Sequence, residues 1–205
     1  MTLPTLYAIL DAESCHRRNL SLGQVAEAWQ QAGITLLQYR DKTATDDTYL
    51  HNASRIKSVF HGTLLINDRA HLVTEAAWHG LHIGQTDLTP AEARNLIGPG
   101  KILGLSTHTA GQVRHANNEP VDYIAIGPVF ATATKLDTEP TIHFEGVRTF
   151  RALTRKPLVA IGGITHANAL QTKHAGADSV AVISALLSSP DALIKTAQDF
   201  LAAFK

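Results

Sequence analysis

Residues 34–40 read Ile-Thr-Leu-Leu-Gln-Tyr-Arg, and this stretch decides the fold. Just before it, Leu22, Val25, Ala26 and Trp29 recur at helical spacing, and Gly33 stops that helix. The stretch itself is short and apolar until its end, as a strand buried on both faces is. Helix, stop and buried strand form one unit of an α/β protein. The same alternation extends in both directions. Apolar runs rich in Val, Ile and Leu stand at 5–10, 34–40, 63–68, 80–85, 102–106, 122–127, 157–162 and 178–184. Between them, Leu50, Ala53, Ile56, Lys57 and Phe60 make a second helical stripe. Thr89-Pro90-Ala91-Glu92 supplies a cap, a first-turn proline and an acid near the positive end of a helix. Further helices fit 146–153, 167–175 and 190–203. Eight strands, each followed by a helix or helical turn, predict an α/β fold of the closed (β/α)8 type, a TIM barrel. It forms a single catalytic domain over 1–205. The rival is a doubly wound open sheet, which more often has fewer strands and a phosphate loop after the first one. No such loop follows Leu10.

A chain of 205 residues is long enough for one well-buried domain and near the short end for an eightfold barrel. Its 18 basic and 18 acidic residues cancel, so there is no global electrostatic case for nucleic acid or an anionic membrane as partner. Any anion site must come from local placement of charge. Cys15 is the only cysteine, which excludes an intramolecular disulfide. Residues 1–10 lack a basic region followed by a long apolar run, and no apolar stretch approaches a membrane span. The expectation is a cytoplasmic protein acting on small molecules, with a homo-oligomer left open.

In a parallel barrel, ligand groups collect where strands end and loops leave. The second strand ends Gln38-Tyr39-Arg40-Asp41-Lys42, where alternation turns Gln38, Arg40 and Lys42 to one face and makes an anion clamp. The bland reading is the solvated end of a strand. Asp68 closes the third strand and Asp87 follows the fourth. Adjacent strands lie about 4.8 Å apart, so the two carboxylates are expected to approach one another, where Mg2+ suits them. The bland readings are a helix cap and a turn. After the sixth strand, Thr132-Ala133-Thr134-Lys135 makes a phosphate cradle, and 136–144 is a candidate lid. Gly162-Gly163 after strand seven and Ile183-Ser184 after strand eight lie at the usual phosphate exits of such barrels. None of the eleven histidines stands in a zinc pattern; His82 and His108 are candidates to reach the mouth.

In this order the exits resemble the thiamine phosphate synthase family. The matching pieces are 38–42, Asn67-Asp68, 84–87, 104–108, 127–135, 161–164 and 182–184. The resemblance implies condensation of a hydroxymethylpyrimidine diphosphate with a hydroxyethylthiazole phosphate, or its carboxylated form. The products would be thiamine phosphate and pyrophosphate. It implies that Gln38, Tyr39, Arg40, Asp41, Lys42, Asn67, Ser106 and Lys135 hold the pyrimidine diphosphate. Of these, Arg40, Lys42, Ser106 and Lys135 would be catalytic. Thr132, Ala133, Thr134, Gly163, Ile183 and Ser184 would hold the thiazole phosphate, and Asp68 and Asp87 the Mg2+ cofactor. Tyr39 and Asp41 replace a more familiar Leu and Glu, and their parity points them away from the clamp. Two rivals share the barrel. A related thiazole tautomerase does not need a pyrophosphate clamp with paired metal carboxylates. For a non-catalytic barrel that binds thiamine phosphates, loss of Arg40, Asp87 or Lys135 would be the sign, and all three are present.

Overall fold

The structure, a computed structural model, describes residues 2–132 and 140–204. The chain runs β1 (Leu6–Asp11), α1 (Ala12–His16), α2 (Leu22–Ala32), β2 (Leu36–Arg40), α3 (Asp46–Val59), β3 (Thr63–Asn67), α4 (Leu72–Glu75) and β4 (Gly80–Ile83). It continues α5 (Pro90–Ile97), β5 (Ile102–Thr107), α6 (Ala110–Ala116), β6 (Tyr123–Ile126), α7 (His143–Arg151), β7 (Leu158–Ile161), α8 (His166–His174), β8 (Ser179–Val182) and α9 (Leu193–Ala202). All strands pair in parallel with their sequence neighbours, and β8 returns to β1 to close the barrel. The expected closed barrel is therefore present.

The local reasons for the elements are visible in the sequence. Gly33, with φ 96°, ends α2 in the left-handed conformation that favours glycine. Thr89 and Glu92 form the expected capping box at α5, and Thr109 with Gln112 forms another at α6. Strand parity sorts the core into two shells. Tyr7, Ile9, Leu36, Leu65, Tyr123, Ala125, Val159 and Ala181 fill the barrel interior. Leu6, Ala8, Leu37, Tyr39 and Ile66 alternate with them and pack outward in the larger core with Val25, Trp29 and Ile56 of the surrounding helices. Gly104 is required by the interior: a Cβ there would lie 2.0 Å from the Tyr123 ring.

The N-terminal face carries a repeated brace. Arg94 of α5 donates to the Pro120 and Lys101 carbonyls and to Asp122, whose carboxylate also accepts from the Leu103 amide at 2.7 Å. Arg151 of α7 donates in the same way to the Thr154 and Lys156 carbonyls and to Asp178, which accepts from the Leu158 amide at 2.8 Å. Each brace ties a helix to the start of the strand that follows it. Both lie at the end of the barrel opposite the strand exits, where side chains serve stability rather than chemistry.

Candidate active site

The exits of β1 to β5 bring most of the expected groups to one mouth. The registers Ile9 with Gln38, Gln38 with Leu65, Asn67 with His82, and Ser106 with Ala125 place these inner-face residues on neighbouring strands. Arg40 follows Gln38 on the inner face, as parity demands, and its guanidinium is 2.5 Å from Asp11. That aspartate is 1% exposed. Its other oxygen accepts from the Ser14 amide and caps α1. The end of β1 thus anchors the clamp arginine.

Lys42 forms an ion pair with Asp68. Asp68 adopts φ 63°, an uncommon backbone state for a residue other than glycine, although Asp tolerates it better than most. Its carboxylate also meets that of Asp87. Burial, and then this second carboxylate, push the Asp87 carboxyl above its ordinary range, while the Gly84 amide, 2.7 Å away, opposes the shift. The two acids therefore stand close enough to act on one another. Among the described residues, no cluster of three or more His, Cys, Asp or Glu side chains suited to a metal is present. Two facing carboxylates with Lys42 beside them fit a divalent cation that takes its remaining ligands from water and substrate oxygens.

Tyr39 and Asp41 do not join the mouth, as a correction to the full 38–42 set. Tyr39 is fully buried on the outer face of the barrel, where its hydroxyl donates to Asp41 and accepts from Asn52. Asp41 organises the turn after β2. Burial raises its carboxyl, but the Ala44 and Thr43 amides with the Tyr39 and Thr43 hydroxyls outweigh this and hold it below the usual value. Arg69 supports the same loop from the neighbouring exit. It pairs with Asp46 at 2.5 Å, donates to the Ala44 carbonyl at 2.6 Å and lies over the Tyr49 ring. These contacts position the loop that carries Lys42.

Gln38 is 2% exposed, and its amide nitrogen is 2.6 Å from the Tyr7 hydroxyl. Asn67 is buried at the rim. Ser106 Oγ lies 2.8 Å from His82 Nε2. His82 thus faces the interior at the mouth. His108 Nδ1 is 2.6 Å from the Gly127 carbonyl, which it meets as a donor. Tyr7 and Tyr123 were not singled out in the sequence as site residues. The signal was there: each is a hydroxyl-bearing ring at inner parity within an otherwise aliphatic run.

On the far side of the mouth, Thr132 is half-buried at the end of the described β6 loop. Ala133, Thr134 and Lys135 lie outside the described residues. Of the candidate lid, 136–139 are also outside them. The remainder is tied to the β6 loop: the Ile142 and His143 amides bond the Pro128 and Val129 carbonyls at 2.9 Å, and α7 begins at His143. Gly162 and Gly163 have φ 100° and 62°. A Cβ on Gly162 would lie 2.6 Å from Pro128, and one on Gly163 would lie 2.5 Å from the Ala131 carbonyl. These glycines let the β6 loop close onto β7, with Phe130 N bonded to Gly162 O at 3.0 Å. Approach by a ligand is not needed to explain them. Ile183 packs against the barrel interior, and Ser184 is exposed at the start of a 3-10 turn, Ser184–Leu186.

Comparison with known proteins gives a consistent result. Residues 6–186 match the family model described as thiamine monophosphate synthase. The thiamine-phosphate synthase of Koribacter versatilis (strain Ellin345) is 46% identical, over 93% of this chain and 92% of that protein. The thiamine-phosphate synthase of Psychrobacter sp. (strain PRwf-1) is 39% identical, over 91% and 89% of the two chains. The solved thiamine phosphate pyrophosphorylase from Pyrococcus furiosus superposes with a TM-score of 0.84 at 27% identity, covering 98% of this chain and 95% of that one.

Proposed function

The chain belongs to the thiamine monophosphate synthase family, and on that footing we propose how its barrel mouth performs the family's reaction. It is a transferase that joins a hydroxymethylpyrimidine diphosphate to a hydroxyethylthiazole phosphate and releases pyrophosphate. The observation that carries the residue assignment is the meeting of Asp68 and Asp87 beside Lys42, one strand from the Asp11-anchored Arg40. A rim of that kind suits a ligand carrying several phosphate oxygens.

In the reaction the bond between the pyrimidine methylene carbon and the diphosphate oxygen breaks, and its electron pair leaves with the pyrophosphate. The thiazole nitrogen supplies the pair for the new carbon–nitrogen bond, so the protein needs no nucleophile of its own. Arg40 and Lys42 would hold the negative charge that gathers on the departing oxygens, with Lys135 as a third cation. Asp68 and Asp87 would hold Mg2+, which when bound supplies further positive charge to the diphosphate. Asn67 and Ser106 would orient the diphosphate end of the pyrimidine substrate. Ser184 and the β6 loop residues Thr132, Ala133 and Thr134 would hold the thiazole phosphate, so that both reactants stand in line.

The test is incubation with both substrates and Mg2+, with and without a chelator, followed by assay of thiamine phosphate and pyrophosphate. Equimolar products that vanish with chelator and return with added Mg2+ are expected. Full turnover in chelator would remove the metal assignment, and no product under any condition would remove the reaction.

A further inference from the structure

Five side chains form a hydrogen-bonded series from the barrel interior to its mouth. The Gln38 amide nitrogen is 2.6 Å from the Tyr7 hydroxyl, and the Tyr7 and Tyr123 hydroxyls are 3.0 Å apart. The Tyr123 hydroxyl is 2.8 Å from His82 Nδ1, and His82 Nε2 is 2.8 Å from Ser106 Oγ. Gln38, Tyr7 and Tyr123 are buried, so bulk water does not reset the direction of these bonds. An amide nitrogen only donates. It therefore occupies an acceptor position on the Tyr7 oxygen and leaves the Tyr7 proton for Tyr123. The Tyr123 proton in turn goes to Nδ1, which must be the bare nitrogen of the ring. The imidazole proton then sits on Nε2 and points at Ser106 Oγ. The serine proton is the last of the series, and it is left for an acceptor in the mouth.

We propose that Gln38, acting through Tyr7 and Tyr123, fixes His82 as the neutral Nε2–H tautomer and so sets Ser106 as a hydrogen-bond donor toward the bound ligand. Burial keeps both phenols protonated, pushing them well above the ordinary tyrosine value, so each has a proton to pass along. A doubly protonated His82 does not fit the series, because Tyr123 would face donors on both sides and its own proton would have no acceptor. Tyr7 and Tyr123 are positioning residues, acting at the mouth through His82. The ligand atom that takes the Ser106 proton must be an acceptor. A diphosphate oxygen meets that requirement, and only this identification rests on the reaction proposed above.

The experiment is nitrogen-15 NMR of the histidine-labelled, substrate-free protein, with the His82 signals assigned by their loss in His82→Asn. The wild type is expected to carry its proton on Nε2. Tyr123→Phe, which removes the donor to Nδ1, is expected to raise the Nδ1–H share several-fold. Tyr7→Phe should shift the balance the same way by less, which keeps the proposal open to refutation if Tyr123→Phe fails to fold. A wild-type proton on Nδ1 overturns the proposal. So does an unchanged tautomer in a Tyr123→Phe protein that melts normally. Calorimetric binding of inorganic pyrophosphate with Mg2+ tests the ligand end, where Tyr123→Phe should weaken affinity about fivefold. A shifted tautomer with undiminished pyrophosphate affinity would overturn the donor role toward the diphosphate, while leaving the direction of the series intact.

Discussion

Asp87 carries a proposed role in the site that runs against its effect on stability. Its carboxyl is raised by burial and by Asp68, so the folded chain binds that proton more tightly than the unfolded chain does. Its contribution to stability is therefore full at low pH and is lost as pH rises through the folded pKa. In Mg2+-free buffer near neutrality, Asp87→Asn removes the repulsion and keeps an oxygen for the Gly84 amide. The melting temperature should rise by about 1–3 °C once solvent screening is allowed for. Turnover should fall sharply and its response to Mg2+ should weaken. Normal turnover with an unchanged Mg2+ response would take Asp87 out of the site. Lys135 lies outside the described residues, and its prediction rests on the sequence. Lys135→Ala should lower both kcat and kcat/KM by roughly 30- to 1,000-fold, as loss of a cation facing a leaving group does. Lys135→Arg should recover part of that, and unchanged single-turnover chemistry in the Ala variant would refute the role. Gly163 is a poor probe of the thiazole phosphate, because a side chain there collides with Phe130 and Ala131. Ser184→Ala is the cleaner test. The KM for the thiazole should rise about fivefold while that for the pyrimidine stays put; equal effects on both would dissolve the division into two subsites.

The loops assigned to the site are held by contacts that lie outside it. Arg69 ties the β2 loop to the β3 exit, and Asp41 folds that loop through the Ala44 and Thr43 amides. At the opposite end, the Arg94–Asp122 and Arg151–Asp178 braces join helices to the strands that follow them. Arg151→Ala leaves the Thr154 and Lys156 carbonyls and Asp178 without this donor, a change worth about 1–2 kcal/mol. The protein should melt about 2–8 °C lower. Because the brace stands far from the mouth, kcat at room temperature should be unaffected. A variant with an unchanged melting point but reduced kcat would show that the N-terminal face communicates with the site.

A closed barrel has no free sheet edge, and its last helix must cover the seam between the final strand and the first. α9 packs against α2 across that seam, and Phe200 of α9 is 2% exposed, with its ring edge-on to His166. Phe200→Ala should cost about 3–5 kcal/mol, as large-to-small changes in a packed core do. Urea unfolding should show the loss as an earlier midpoint with an unaltered slope. A changed slope would mean that the helix detaches locally rather than unfolding with the barrel. Among the described residues no helix is long and apolar enough to cross a membrane.

Local patterning specifies the eight apolar runs, their order, the face on which Gln38, Arg40 and Lys42 emerge, and the nearness of Asp68 to Asp87 at adjacent exits. These follow from periods of 2 and 3.6 residues and from strand order, which are properties of short segments. Helix starts were legible where Thr89 and Glu92 make a cap, and less so at α7, which begins at His143, three residues before the stripe suggests. The remaining contacts are set by how the closed barrel packs. That Asp11 anchors Arg40 depends on the register of β1 against β2. That Tyr7 meets Tyr123 depends on ring closure, which brings together residues 116 apart in the chain. That Gly162 and Gly163 serve the β6 loop depends on how closely two exits pack. Such lateral contacts are selected by the joint packing of the closed barrel, and no local pattern encodes them.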